Sequence, residues 1–186
     1  MTIDEMKTIL QSRLKKNRYK HSLGVADTAV YLAKRFGEDE ERAYIAGLLH
    51  DCAREYKNED LPAEADRRNI KYGTVEEKMP LLLHAYVGAL RIGELYDVRD
   101  EAIAQAIWRH TVGGENMTKL DKIIYFADMI EPSRDYPEVE RLRRAAQTDT
   151  LDEMTLLGLS ESILFVIEKK QLIHPATIAA RNELLY

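Results

Sequence analysis

The sequence predicts an all-α protein, a compact multi-helix bundle with a C-terminal helical extension, and three observations carry that prediction. Apolar residues recur three and four positions apart in nearly every segment. No stretch alternates polar and apolar residues between hairpin turns, so strands leave no signal. The connections are short, and neither an internal repeat nor a low-complexity tract interrupts them.

Taken in order, Ile3, Met6, Ile9, Leu10 and Leu14 predict a helix over 3–16. Val25, Ala29, Leu32, Ala33 and Phe36 predict one over 21–36, ended by Gly37. A third runs from about Glu38 to Ala53, a short one over 60–72 closes at Gly73, and another spans Pro80 to Leu95. Asp100 caps a helix through Trp108, and Thr118 caps one that reaches Ile130 before Pro132 stops it. Three more follow near 138–147, 151–171 and 175–185, the last opening on Pro175, where a first turn tolerates proline.

The 186 residues suit a single domain over 1–186, with a core of about 18–147 and the extension over 148–186. Hydrophobic residues at 45% supply a core, and no apolar run approaches the roughly 20 residues that span a bilayer. "MTIDEMKTILQSRLKK" mixes acids into a segment without a long apolar block, which is not a signal-peptide pattern. The net charge of −5 argues against a broad nucleic-acid surface. One cysteine, Cys52, rules out an internal disulfide, reads as a packing residue and suits a reducing compartment, so the cytoplasm is the expected location. Leu156, Leu157, Leu159, Ile163, Leu164 and Val166 give the extension more apolar surface than one face needs, which points to docking or a homodimer.

Polar residues on the apolar stripes carry the chemistry. His21 lies in line with Val25 and Leu32, His50 with Ala46, Leu49 and Ala53, His84 with Leu81 and Gly88, and His110 with Ile103, Ala106 and Ile107. Asp128 extends Leu120, Ile124 and Ala127, and Asp51 follows His50 directly. One buried histidine is ordinarily a core residue bonded to a carbonyl. Several imidazoles and two carboxylates converging on one interior need a counter-charge, because an unpaired buried carboxylate costs about several kcal/mol. A divalent cation supplies that charge, and nitrogen and oxygen donors without thiolate favour iron, manganese, cobalt or nickel over a cysteine-rich zinc site, with zinc also possible.

A histidine, a His-Asp doublet and a distant aspartate, here His21, His50–Asp51 and Asp128, form the pattern of HD-domain metal-dependent phosphohydrolases, which the chain resembles. His84 and His110 match the extended pattern of members that hold two metals. The stretches "RYKHSLGVADTAVYLA", "AGLLHDCARE", "LLHAYVGAL" and "IWRHTVGGENMTKLDKIIYFADMIEPSRDYP" resemble the YqeK branch from residue 18 to about 170. That resemblance implies symmetrical cleavage of diadenosine tetraphosphate to two ADP at an iron-containing centre of one or two ions. It also implies a primary sphere of His21, His50, Asp51 and Asp128, with Asp51, His84 and His110 at the catalytic step. In a two-ion centre Asp51 bridges and His84 and His110 hold the second ion; with one ion they face the phosphates, and a metal-activated water attacks. Arg54 stands where related segments often have lysine, which keeps the charge and changes its geometry.

A polyphosphate requires more positive charge. Arg54, four residues after His50, is the first choice on spacing; Arg109, Thr111, Lys122 and Arg134 are further candidates, and Gly113–Gly114 offers backbone N–H groups. Glu131 is read here as pairing with Arg134 rather than orienting a ligand. Two other functions remain open at this level: an HD nucleotidase or phosphodiesterase with a different nucleotide, and a non-catalytic helical protein that binds a metal or nucleotide.

Overall fold

A computed structural model describes residues 1–186 as eleven α-helices joined by short turns, two of them 3-10, with no strand. The helices are α1 (Ile3–Arg13), α2 (Lys16–Phe36), α3 (Glu40–Leu49), α4 (Leu61–Arg67), α5 (Thr74–Lys78), α6 (Leu83–Tyr96), α7 (Glu101–Arg109), α8 (Lys119–Ile130), α9 (Val139–Thr148), α10 (Leu151–Glu168) and α11 (Pro175–Glu183). Caps set several boundaries. Thr118 accepts from the Asp121 N–H and Thr150 from that of Glu153, each closing a capping box. Gly37 ends α2 in the left-handed region at φ 67°.

The core lies where α2, α3, α7 and α8 face one another through Val25, Ala29, Leu32, Leu48, Leu49, Ile103, Ile107, Ile124 and Phe126, all buried. Gly47 brings α2 and α3 together: a Cβ there would stand 2.8 Å from Ala26 Cα and 3.0 Å from its N. A smaller cluster joins α4 to α6, with Tyr86 stacked on Trp108 at 4.3 Å between centroids. The C-terminal helices cover α8 through Tyr125, Leu159 and Ala180. No helix is long and apolar enough to cross a membrane.

The structure departs from the sequence expectations at functional boundaries. The helix expected over 38–53 stops at Leu49, and a 3-10 turn over Cys52–Glu55 follows the His50–Asp51 doublet. The His50 imidazole takes the Gly47 carbonyl oxygen, the acceptor that another helical turn requires. The segment over 60–72 ends at Arg67; Asn69 adopts φ 55°, and Gly73 opens α5 rather than closing α4. The 80–95 helix begins as a 3-10 turn over Pro80–Leu82, which leaves His84 in the first turn of α6. α2 starts at Lys16, five residues before the expected start at 21, where a largely polar first turn leaves no apolar stripe to mark it.

Candidate metal centre

Three of the four clustered histidines sit where local structure aims Nε2 inward. His50 and His110 are the C-caps of α3 and α7, and His84 follows a 3-10 turn. In all three, Nδ1–H donates to the carbonyl oxygen three residues earlier: Gly47 at 2.7 Å, Leu81 at 2.5 Å and Ile107 at 2.6 Å. A carbonyl oxygen only accepts, so Nδ1 carries the proton and Nε2 presents a lone pair. His21, inside α2, turns Nδ1 toward Glu131 Oε1 at 2.9 Å instead.

The four Nε2 atoms and two carboxylates then converge. Nε2 of His21 stands 3.2 Å from that of His50, and Nε2 of His84 stands 3.1 Å from that of His110. Asp128 Oδ1 lies 3.0 Å from His21 Nε2 and 3.8 Å from His50 Nε2. Asp51 gives one oxygen to each half: Oδ2 is 3.7 Å from His21 and 3.5 Å from His50, whereas Oδ1 is 3.1 Å from His84 and 3.8 Å from His110. Three triads, His21–His50–Asp51, His50–His110–Asp128 and Asp51–His84–His110, each place their ligand atoms within 4.8 Å of one another. His21, His50, Asp51, His84 and His110 are buried, and Asp128 is partly so.

Acceptor faces acceptor throughout this cluster, and a cation at its middle removes that repulsion. The residues therefore fit a divalent metal with imidazole and carboxylate ligands. Cys52 adds no thiolate: it is buried, its thiol lies 3.7 Å from the Gly88 carbonyl oxygen, and burial pushes its pKa up to about 12.

The local charges follow the same geometry. Burial would raise the Asp51 carboxyl, but His50 and His84 hold it well below the usual range. Burial also opposes ionisation of Asp128, and the neighbouring His21 together with the Arg134 charge overcomes it. Burial lowers the His50 pKa and Asp51 more than reverses that, leaving it raised. His110 is pushed down to about 3 by burial and by His50 and His84, so it is neutral, and its Nε2 accepts from Thr111 Oγ1–H at 3.1 Å.

The cationic residues divide. Arg134 donates from Nε to the Asp128 carbonyl oxygen at 2.8 Å and from Nη2 to the Asp128 carboxylate. Arg54 sits on the 3-10 turn, donates to Asn58 Oδ1 at 3.3 Å, and is near enough to Asp51 and Arg18 to feel both charges. Arg18 escaped the sequence reasoning; its Nη1 donates to Asp51 Oδ2 at 2.7 Å. Its position one helical turn before His21 was the available signal. Arg109 is not brought to the cluster, because Nη1 pairs with buried Asp121 at 2.8 Å and donates to the Asn116 carbonyl oxygen. Lys122 pairs with Asp152 at 2.6 Å. The Gly113 N–H is committed to the Arg109 carbonyl oxygen, and a Cβ on Gly113 would meet Leu159 and Ala180. Glu131 also corrects the expectation: its Oε1 lies 4.0 Å from Arg134 Nε but 2.9 Å from His21 Nδ1.

An α-helical shell around histidines and aspartates of metal-ligand type defines a metal-dependent hydrolase class. The chain belongs to the HD domain family, which it matches over residues 18–133. It is 37% identical over 177 residues to the symmetrical bis(5'-nucleosyl)-tetraphosphatase of Halalkalibacterium halodurans, covering 95% of this chain and 94% of that one. The protein of the same name from Bacillus subtilis is 36% identical over 185 residues, covering 100% and 98%. Among solved structures, an HD superfamily hydrolase from Clostridium acetobutylicum, described as involved in NAD metabolism, superposes with a TM-score of 0.94 at 40% identity. That alignment covers 100% of this chain and 97% of the other.

Proposed function

We propose that this protein is a metal-dependent hydrolase that cleaves dinucleoside polyphosphates, with diadenosine tetraphosphate split symmetrically into two ADP. The carrying observation is the convergence of Nε2 of His21 and His50 with Asp51 and Asp128, in a chain aligned nearly end to end with two enzymes of that name. His21, His50, Asp51 and Asp128 hold the first ion. Asp51, with His84 and His110, would hold a second; with one ion bound, the two imidazoles would face the phosphates instead. The donor set and the inert Cys52 suit iron, manganese, cobalt or nickel, with zinc also possible, and the resemblance to the YqeK branch selects iron among them. The bound metal supplies Lewis acidity and brings the pKa of water toward neutrality. Asp51 and Asp128 set the charge of the centre, and Arg18, Arg54 and Arg134 at its rim offset the charge of the phosphates. Thr111 holds His110 Nε2 in line when that imidazole faces substrate. Arg109 serves the fold of the 110–118 loop rather than the substrate.

Incubating the purified protein with diadenosine tetraphosphate in water enriched in ¹⁸O tests this reading. ADP as the sole nucleotide product, with one labelled oxygen per cleavage, is expected. ATP with AMP would overturn the symmetrical assignment, and undiminished turnover by Asp51→Ala would overturn the ligand set. Leu164, Phe165 and Ile167 are more than half exposed along α10 and support self-association, which sedimentation at rising concentration reads directly. The single buried thiol suits a cytoplasmic setting.

A further inference from the structure

Three of the four clustered imidazoles are oriented by their own backbone, and His21 is not. It occupies the interior of α2, and its Nδ1 reaches a side chain 110 residues away in sequence. That partner, Glu131, is the C-cap of α8 and is 1% exposed. Its carboxylate is pinned on every side. Oε2 accepts from the Ser133 N–H at 2.7 Å, and Oε1 accepts from the Ser133 hydroxyl as well as from His21. Opposite it, α2 carries Gly24, where a Cβ would stand 2.6 Å from Glu131 Oε2. A mid-helix glycine sacrifices helix propensity, and here the missing methyl is the space the carboxylate fills.

We propose that Glu131, held by Ser133 and admitted by Gly24, is the positioning residue of the centre. It fixes the proton of His21 on Nδ1 and aims Nε2 at the point shared with His50 and Asp128. An anionic partner on the far ring nitrogen strengthens an imidazole donor beyond what a carbonyl partner achieves. The inference rests on the metal-centre reading above. Glu131 touches neither substrate nor metal in this role and acts through His21 alone.

Metal affinity measures the role without turnover. The chelator-stripped protein is titrated with Co²⁺ by calorimetry, and the melting temperature of each stripped variant is recorded. Removing an outer partner of this kind typically weakens metal binding about 10–100-fold. Glu131→Ala is expected to fall in that range, and Glu131→Gln, which retains an acceptor without the charge, by a smaller factor. Gly24→Ala keeps Glu131 yet displaces its carboxylate, so weakened Co²⁺ binding is expected with the stripped protein still folded. A changed Co²⁺ visible spectrum should accompany each loss. Wild-type affinity and spectrum in folded Glu131→Gln and Gly24→Ala would overturn the proposal even if Glu131→Ala failed to fold. If those variants bind normally while Asp51→Ala does not, the positioning role alone fails. If the wild type takes up no Co²⁺, the metal-centre reading fails with it.

Discussion

Gly47→Ala puts the geometry of the centre to a quantitative test. The added methyl would stand 2.8 Å from Ala26 Cα, 3.0 Å from its N and 3.1 Å from the Val25 carbonyl carbon, all of them backbone. Relaxed carbon contacts need about 3.5–4.0 Å, so α2 and α3 must part by on the order of 1 Å. Overpacking of this kind destabilises by about 1–3 kcal/mol, and a rigid backbone neighbour places it near the upper end. Replacing a helical glycine by alanine returns about 1 kcal/mol. The net loss of roughly 2 kcal/mol lowers Tm by about 4–8 °C in a chain of this size. The same displacement separates His21 on α2 from His50 at the end of α3, whose Nε2 atoms lie 3.2 Å apart. Metal–ligand distances tolerate only about 0.2 Å, so metal content falls too. Thermal unfolding by circular dichroism and elemental analysis of the purified variant read both effects. Adding Ala26→Gly should rescue neither, since Ala26 Cα and N remain. A raised Tm with full metal content, or rescue by the double variant, would refute the reasoning.

Other positions respond in different ways. Arg18→Gln removes a charge-assisted hydrogen bond, and the typical value of about 1.5–3 kcal/mol corresponds to roughly a 10–100-fold loss in kcat/KM for diadenosine tetraphosphate. Steady-state kinetics should show it, and an unchanged value removes Arg18 from the rim. Arg109→Ala takes the counter-charge from Asp121, which is fully buried; at about 1–3 kcal/mol Tm drops by several degrees while KM holds, whereas a KM effect at constant Tm restores Arg109 to the substrate. Glu76 sets a pH dependence. Burial raises its carboxyl pKa, but bonds from His174 and Tyr86 more than offset that and hold it below 4.5. Its contribution is therefore complete above about pH 4.5 and is lost as pH falls through the lower folded value. Melting curves should show Tm declining more steeply on acidification in the wild type than in Glu76→Gln; parallel declines would exclude Glu76 as a cause.

Helices and ligands were legible in the sequence for one reason. Burial of an amphipathic face leaves a periodic trace, and a polar residue on that trace stands out. His21, His50, His84, His110 and Asp128 all announced themselves this way, and each reaches the cluster. What the trace does not encode is the partner of a side chain beyond its own helix. Glu131 and Arg134 are three apart on the chain, which suggests a local ion pair, yet the carboxylate turns to α2 and the guanidinium to Asp128. Arg18 lay in a largely polar turn where Tyr19 alone gave too little periodicity to date the start of α2. Arg109 adjoins His110, but adjacent residues on a helix point about 100° apart, and Asp121 captures it. The ending of α3 at Leu49 depends on an imidazole competing for the Gly47 carbonyl, which hydrophobic periodicity does not register.

The start of α11 straddles two distant segments. The Thr177 hydroxyl donates to the carbonyl oxygen of Val112, two residues past His110, at 2.8 Å. His174 Nε2 meets Glu76 Oε1 at 3.1 Å, and that carboxylate also accepts from Tyr86, two residues past His84. Residues 18–134 contain every ligand and rim arginine. The centre thus owns all its ligand atoms ahead of residue 174 in the chain, and two imidazole-bearing segments are clasped from outside it by the start of α11.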